Sequence, residues 1–259
     1  MGESFNECFN EILDHYENPE NTSRIIEIIN HVSNLELLLT FLENCPRNKK
    51  MSLTFKTIAS LLLNRGSLLD KEFLEVHINI LLNFIASCAD FVASNREVLL
   101  FCSDAVAYFY RFIFELSVHD EPAPFKDLFD LYNEDNQNYK IVALSIMKCV
   151  VSAIKNNKFK HVSDYTRNQN VKAFQDMHLH AYFQVAANII LSNDDNDPLI
   201  DNALELLISC FQIYSNKDDY KDLDTYSFIP PAEISQYYQN PSNDLPMKLL
   251  HLFEISKPG

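Results

Sequence analysis

The chain has 259 residues, of which only 3 are glycine, and its 36 acidic and 21 basic side chains give a net charge of −15. Phosphate loops, dinucleotide-binding turns and most β-sheet folds need glycine for positive φ angles and close backbone approach, so this composition argues against all three. Nucleic-acid binding is also excluded, because it requires clustered lysine and arginine, and the only basic cluster, at 47–50, is short.

The apolar fraction of 47% is sufficient for a substantial core. No apolar run approaches the roughly 20 residues that span a bilayer, so membrane insertion is not expected. The acidic N-terminus lacks the hydrophobic segment of a signal peptide. The cysteines are spread through apolar stretches with no C-x-x-C spacing, which predicts reduced core thiols and no cysteine in a basic, partly exposed environment.

Apolar residues recur at intervals of three and four along nearly the whole chain, which predicts one helix after another. The ten main helices are predicted at 3–17, 21–33, 35–44, 50–64, 70–89, 95–117, 125–132, 137–155, 171–192 and 198–214. A short helix is predicted at 232–238 and a last one at 245–255. Polar, irregular segments are predicted near 156–169 and 215–230.

Proline, asparagine and aspartate supply most of the predicted helix ends. Pro19 is expected to stop the first helix, and Asn21 or Thr22 to cap the second. Asp70 is expected to begin the fifth helix. Gly66 is expected to end the fourth helix as a left-handed C-cap, a conformation that glycine adopts at little cost.

The predicted helices form five pairs that recur roughly every 30–50 residues. HEAT-type units have a period of about 40–47 residues, and each pair buries its open apolar face on the next. We therefore predict an all-α fold, a HEAT-like superhelical solenoid of antiparallel helix pairs. Residues 1–259 would form a single array of about five pairs and a partial sixth, as an N-terminal fragment of a longer protein.

No constellation indicates catalysis or metal binding. His178 and His180 are two residues apart, so on a helix they point in different directions and cannot share one ion, although Asp176 lies nearby. The acidic turn at 193–197 resembles the start of a calcium loop but lacks the glycine of an EF-hand, so we interpret it as a capped turn. We expect no catalytic residue, metal or cofactor, and an α-helical hydrolase with a spatially assembled triad stays open as an alternative.

A dense aromatic block at 108–114 lies on the sixth predicted helix. Its helical spacing favours core packing. A platform for stacked bases would need flanking arginines, and only Arg111 is present.

The remaining functional surface is the concave side of the array, which in helical-repeat proteins binds the partner. We expect the second helix of each pair to line it, at 21–33, 50–64, 95–117, 137–155 and 198–214. Its predicted off-core polar residues are Glu27, Asn30, Lys56, Ser60, Ser103 and Asp104.

Three stretches resemble the importin-β-type transport receptors, specifically their exportin-7 (Ran-binding protein 16/17) branch. The first is YKIVALSIMKC at 139–149. The second runs from Arg167 through AFQD at 173–176 into the following long helix. The third combines LLISCF at 206–211, the acidic loop after it and the Ile-Pro at 229–230.

This resemblance implies that the first three repeats bind the GTP form of the small GTPase Ran. It further implies that the chain carries protein cargo through the nuclear pore, contacts nuclear pore proteins and shuttles between nucleus and cytoplasm. Transport would proceed by binding alone, without enzymatic activity. A HEAT or armadillo scaffold for another protein complex is the alternative interpretation, and the direction of transport stays open.

Overall fold

The computed structural model describes residues 4–117, 125–155, 163–213 and 244–255. Within these ranges the chain is all-α, as predicted, with one short 3-10 helix at Gly66–Leu68 and no β-strand. The helices are α1 Phe5–Asp14, α2 Pro19–Ile29, α3 Asn34–Glu43, α4 Lys49–Arg65, α5 Lys71–Ser87, α6 Ala89–Ser94, α7 Arg96–Ser117, α8 Lys126–Asn133, α9 Gln137–Lys155, α10 Asp164–Met177, α11 Leu179–Ser192, α12 Leu199–Gln212 and α13 Leu245–Ile255.

The chain divides into two compact units, Met1–Asp164 and Tyr165–Gly259. The first holds α1 to α9, and the second holds α10, from its second residue on, to α13. Among the described residues, no single helix is both long and apolar enough to cross a membrane, and only α2 and α3 together, bent by 115°, reach that length and composition.

A row of four helices organises the first unit: α2 packs on α4, α4 on α7, and α7 on α9. A second layer consists of α3, α5, α6 and α8. In this layer α3 packs on α4, α5 packs on α7, and both α6 and α8 pack on α9. Helix α7 is central because α4, α5, α6 and α9 all contact it. Its aromatic side chains at 109, 110, 112 and 114 are therefore at most 3% exposed. This confirms core packing for most of the aromatic block.

Neighbouring helices of the row run in the same direction. Ser103 of α7 meets Ser145 of α9, and Arg111 of α7 meets Ala153 of α9, both at a separation of 42 residues. The ammonium of Lys56 on α4 lies over the ring of Phe101 on α7, and further along, Gly66 faces Phe112. These two contacts have similar sequence separations of 45 and 46 residues, so α4 and α7 are also parallel.

The boundary between the first two helices differs from the prediction. Pro19 begins α2 instead of ending α1, and the Asn18 side chain caps α2 by accepting a hydrogen bond from the Glu20 N–H at 3.0 Å. Proline suits the first helical position because its missing N–H would have no intrahelical partner there. Asn21 is not the cap: its amide is buried and donates to the His15 carbonyl at 2.9 Å.

The expected left-handed conformation of Gly66 is wrong, since its φ of −57° and ψ of −30° are right-handed. A glycine is needed at this position because a side chain would not fit there. A Cβ built on Gly66 would lie no more than 2.7 Å from the Phe112 ring atoms Cδ2, Cε2 and Cζ. Gly66 therefore allows the ring of α7 to approach the end of α4 closely.

Two long predicted helices are interrupted in the structure. The predicted helix at 171–192 is divided at His178 into α10 and α11, and α10 already begins at Asp164, within the segment expected to be irregular. The predicted helix at 70–89 ends at Ser87 and is followed by the separate short helix α6. Apolar spacing continues across both breaks, which is why periodicity does not reveal them. The predicted helix at 232–238 and the loop at 215–230 lie outside the described residues.

The core of the second unit lies between α11 and α12, which follow one another through a short loop and pack together. The rings of Phe183 on α11 and Phe211 on α12 meet edge to face, with centroids 5.9 Å apart. The last helix, α13, packs on α11 and has the bounds expected from the sequence.

Candidate partner-binding face

One side of α4 and α7, two neighbouring helices of the row, stays partly exposed and carries polar and aromatic side chains. The partly exposed positions of α7 recur at intervals of three and four residues, which places them on one side of the helix. We call this surface the row face, and it consists of Lys56 and Ser60 of α4 and Phe101, Asp104 and Tyr108 of α7.

Lys56 joins three segments at this face. Its ammonium lies 5.4 Å from the centroid of the Tyr16 ring and 5.4 Å from that of the Phe101 ring. Both distances are within the range of cation–π attraction. Lys56 therefore holds the link between α1 and α2 together with α4 and α7, while remaining partly exposed.

Tyr108 lies on the same side of α7 as Asp104. Burial raises the pKa of Tyr108 to about 12, the negative charge of Asp104 contributes further, and the charge of Arg111 opposes the shift. The phenol is consequently neutral at physiological pH and can both donate and accept a hydrogen bond at this surface.

Ser103 does not belong to the row face, contrary to the expectation that it lies off the core. Its side chain is fully buried, and its hydroxyl donates to the Ser145 hydroxyl of α9 at 2.8 Å. The prediction failed because α9 covers this side of α7, and helical spacing alone does not specify which sides of a helix are covered.

The remaining predicted residues are accessible. Lys56, Ser60 and Asp104 are partly exposed on the row face. Glu27 is exposed on the neighbouring helix α2, and Asn30 is exposed at the C-cap of that helix. Asn30 accepts a hydrogen bond from the Arg65 guanidinium at 3.2 Å, which links α2 to the end of α4.

Internal contacts engage the basic cluster at 47–50. Lys49 pairs with Glu17 at 3.6 Å, Lys50 pairs with Asp14 at 2.7 Å, and Arg47 donates to the carbonyl of the last residue of α5 at 3.4 Å. An open cavity of about 340 Å³ lies beside these pairs, lined by residues 13–18 and Lys49. The cluster thus fastens the end of α1 to the start of α4.

The groupings considered for metal binding have structural contacts. The Asp197 carboxylate accepts from the Leu199 N–H and from the Asn193 amide, each at 2.8 Å, so the acidic turn is a capped turn as predicted. His178 lies at the break between α10 and α11, where burial lowers its pKa. Across the described part of the chain, no three His, Cys, Asp or Glu side chains converge as metal ligands would.

Cys8 corrects the expectation that no cysteine has a basic, partly exposed environment. It is the one cysteine of six that is not buried, and its Sγ accepts a hydrogen bond from the Arg24 guanidinium at 3.1 Å. The contact joins α1 to α2 across 16 residues, so local sequence did not indicate it.

We expect Cys8 to be the first thiol modified when the native protein is treated with iodoacetamide. Burial raises the pKa of the Cys45, Cys88 and Cys102 thiols and brings that of Cys210 to about 12, which leaves little thiolate at these positions. Peptide mass spectrometry over a time course would measure the order of labelling. A Cys8→Ser variant should lose the fast phase, and equally fast labelling of Cys45 or Cys88 would contradict the prediction.

Sequence reasoning also missed the role of Arg111. Its side chain is 1% exposed, donates from Nη2 to Glu115 Oε1 at 2.6 Å, and donates from Nη1 to the carbonyls of Ala153 and Ile154 in the last turn of α9. Those carbonyls have no partner within their own helix. An Arg-Glu pair four residues apart within an apolar stretch is the sequence signal that could have revealed this role. The burial of Arg111 also excludes a role for its side chain in stacking on bases.

We compared the chain with known proteins and found that no family model, curated protein or solved structure matches it. The described residues themselves define the class, which is an all-α protein of packed helices with a parallel row in its first unit.

Proposed function

We propose that the chain is a HEAT-like superhelical scaffold that binds other proteins and, more specifically, a nuclear transport receptor. It would bind GTP-loaded Ran and protein cargo together and carry the cargo through the nuclear pore, and GTP hydrolysis on Ran would release both. The observation that carries the scaffold proposal is the parallel row of α4, α7 and α9 with its regular sequence separations.

Parallel neighbours at a constant separation are what tandem helix pairs produce. Each helix pair contributes one helix to the row, and its other helix returns the chain to the start of the next pair. The separations of 42, 45 and 46 residues fall within the period of about 40–47 residues that characterises HEAT units. The second layer of α3, α5, α6 and α8 supplies the returning segments.

The row face suits a protein partner. It presents the aromatic surfaces of Phe101 and Tyr108 beside the charges of Lys56 and Asp104. Aromatic residues at the centre and charged residues that provide specificity are typical of protein interfaces.

The transport-receptor proposal rests on the resemblance to the exportin-7 branch. Its first stretch, 139–149, lies on α9 of the row, and its third begins on α12. The net charge of −15 further favours a basic protein partner over an acidic one.

Binding to Ran loaded with GTP or with GDP tests the receptor proposal. We expect the immobilised chain to retain Ran-GTP and not Ran-GDP. Equal retention of both forms, or of neither by a folded chain, would overturn it. Copurified partners that lack Ran and nuclear pore proteins would support the alternative, a scaffold for another protein complex.

A charge reversal tests whether Ran-GTP binds at the row face. Lys56→Glu is expected to weaken Ran-GTP binding about tenfold, because it reverses a partly exposed charge on the row face. Lys126→Glu, an exposed lysine on α8 in the second layer, is the matched control and should bind as the unchanged chain does. Thermal unfolding verifies that both variants fold, and unchanged binding by Lys56→Glu would exclude the row face as the Ran site.

A further inference from the structure

Helices α3 and α5 lie side by side in the second layer and run in the same direction. His77 Nε2 of α5 lies 3.5 Å from Glu36 Oε1 of α3. Further along, Arg47, shortly after the end of α3, donates to the carbonyl of Ser87, the last residue of α5, at 3.4 Å. The sequence separations of these contacts are 41 and 40 residues, so the two helices keep a constant register.

The side of α5 next to α3 carries apolar side chains that are open to solvent. Phe73 and Ile80 lie one turn before and one turn after His77, which faces α3. Val76 and Phe84 lie one turn before and one turn after Ile80. Val76 and Ile80 are 51% and 38% exposed, and Phe73 and Phe84 are partly exposed. We call these four residues (Phe73, Val76, Ile80 and Phe84) the α5 stripe, which spans about 16 Å or three helical turns.

Contacts beneath the α5 stripe hold it in place. The ring of Phe73 stacks on that of His77, with centroids 3.8 Å apart, and His77 Nδ1 donates to the Phe73 carbonyl at 2.7 Å. The ring of Phe84 lies against that of Phe55 on α4, with centroids 6.4 Å apart. Because this apolar surface is already formed, a partner that binds it does not have to pay for ordering it.

Carboxylates border the α5 stripe on both sides. Besides His77, the charged side chains of α3 and α5 are Glu36, Glu43, Lys71, Glu72 and Glu75. Glu72 lies one turn before Val76, on the side of the stripe away from α3. The side chains of Glu36 and Glu75 are 64% and 50% exposed, and the one lysine of these helices lies 3.9 Å from Glu75. The border of the stripe is therefore negatively charged.

This charge distinguishes between the occupants that an exposed apolar surface can have. A second copy docked through the same stripe would bring carboxylates against carboxylates, and a membrane of anionic lipids would be repelled in the same way. A helix with lysines or arginines on both sides of its apolar face would instead meet opposite charges at each border.

We propose that the α5 stripe binds an amphipathic helix of another protein, with its apolar face on Val76 and Ile80 and its flanking lysines and arginines beside the bordering carboxylates. Helices that are recognised in this way carry apolar anchors at intervals of three and four residues, the same spacing as the stripe. The α5 stripe and the row face share no residue, and this proposal does not rest on Ran binding.

Fluorescence anisotropy with a labelled synthetic helix tests the proposal. The probe is a peptide of about 18 residues, or five turns, with leucines along one side and lysines and arginines on both flanks. A control peptide of the same composition has its leucines distributed around the helix. We expect the probe to bind at least about tenfold more tightly than the control peptide, because only the probe can cover the stripe. Equal affinity for the two peptides would overturn the proposal.

Substitutions on α5 test whether the probe binds at the stripe. Val76→Ser combined with Ile80→Ser should weaken binding of the probe at least about tenfold, because two aliphatic side chains are lost from the interface. Ile26→Ser on α2, where the isoleucine is 50% exposed, is the matched control and should bind as the unchanged chain does. Circular dichroism verifies that each variant is folded, and unchanged binding by the folded double variant would overturn the proposal.

Three further measurements test the chemistry of the occupant. A peptide with glutamates in place of the lysines and arginines should not bind, and binding as tight as that of the probe would contradict a basic partner. Self-association of the unchanged chain that Val76→Ser with Ile80→Ser abolishes would assign the stripe to a second copy. Cosedimentation with phosphatidylserine vesicles that the same variant abolishes would assign it to a membrane, and either result would overturn the proposal.

Discussion

Replacing Arg111 by methionine is expected to lower the free energy of unfolding of the first unit by about 3–5 kcal/mol, the usual cost of breaking a buried ion pair from one side. The substitution leaves the Glu115 carboxylate, which is 14% exposed, without its cation. It also removes the donor that satisfies the carbonyls of Ala153 and Ile154. Urea unfolding followed by far-UV circular dichroism would measure the loss.

Two further variants distinguish the effect of breaking the ion pair on stability from the effect of simply removing an arginine. Arg96→Met removes an exposed arginine at the start of the same helix and should change stability by less than about 0.5 kcal/mol. Arg111→Met combined with Glu115→Leu should recover at least about 1 kcal/mol, because no unpaired charge remains. A cost below about 1 kcal/mol for Arg111→Met alone would show that the buried pair is not stabilising.

Gly66→Ala is expected to destabilise the first unit by about 1–3 kcal/mol, the usual cost of overfilling a packed core. The backbone there is right-handed, so helix propensity alone would favour alanine by about 1 kcal/mol. The steric effect opposes this gain because the new methyl group would overlap the Phe112 ring, which is only 3% exposed and cannot easily move away. The thermal unfolding midpoint and the urea midpoint would both fall.

Ser67→Ala, at the exposed neighbouring position, is the matched control and should be nearly neutral. Combining Gly66→Ala with Phe112→Leu tests the contact directly. The double variant should lose less than the sum of the two single losses, since the smaller leucine makes room for the methyl group. Additive losses, or a stabilising Gly66→Ala, would contradict the close approach of α7 to Gly66.

Local signals predicted much of the fold. Helices α4, α7, α9 and α13 begin and end within about two residues of their predicted bounds, because apolar periodicity and nearby capping residues determine helix ends locally. Asp70 caps α5 as expected, accepting from the Phe73 N–H at 2.7 Å. The functional predictions of Ran, cargo and pore binding stay predictions.

The errors concern contacts between residues distant in sequence. The burial of Ser103 depends on α9, and the partly exposed contact of Cys8 depends on Arg24 of another helix. The role of Gly66 depends on Phe112, and a single sequence offers a familiar left-handed cap as the simpler explanation. Which sides of a helix are covered is decided by packing, and the apolar pattern constrains it only loosely.

The parallel contacts between α7 and α9 determine where this sequence can change its length. Ser103 and Arg111 of α7 contact Ser145 and Ala153 of α9. The spacing along the chain is the same within each helix, so these two contacts fix the register between α7 and α9. One residue inserted between those points would rotate the following part of α7 by about 100° and carry Arg111 away from the end of α9. An insertion in the segment that connects α7 to α8 leaves both contacts in register. Evolutionary insertions and deletions are therefore expected in the connections between row helices and not within the helices themselves.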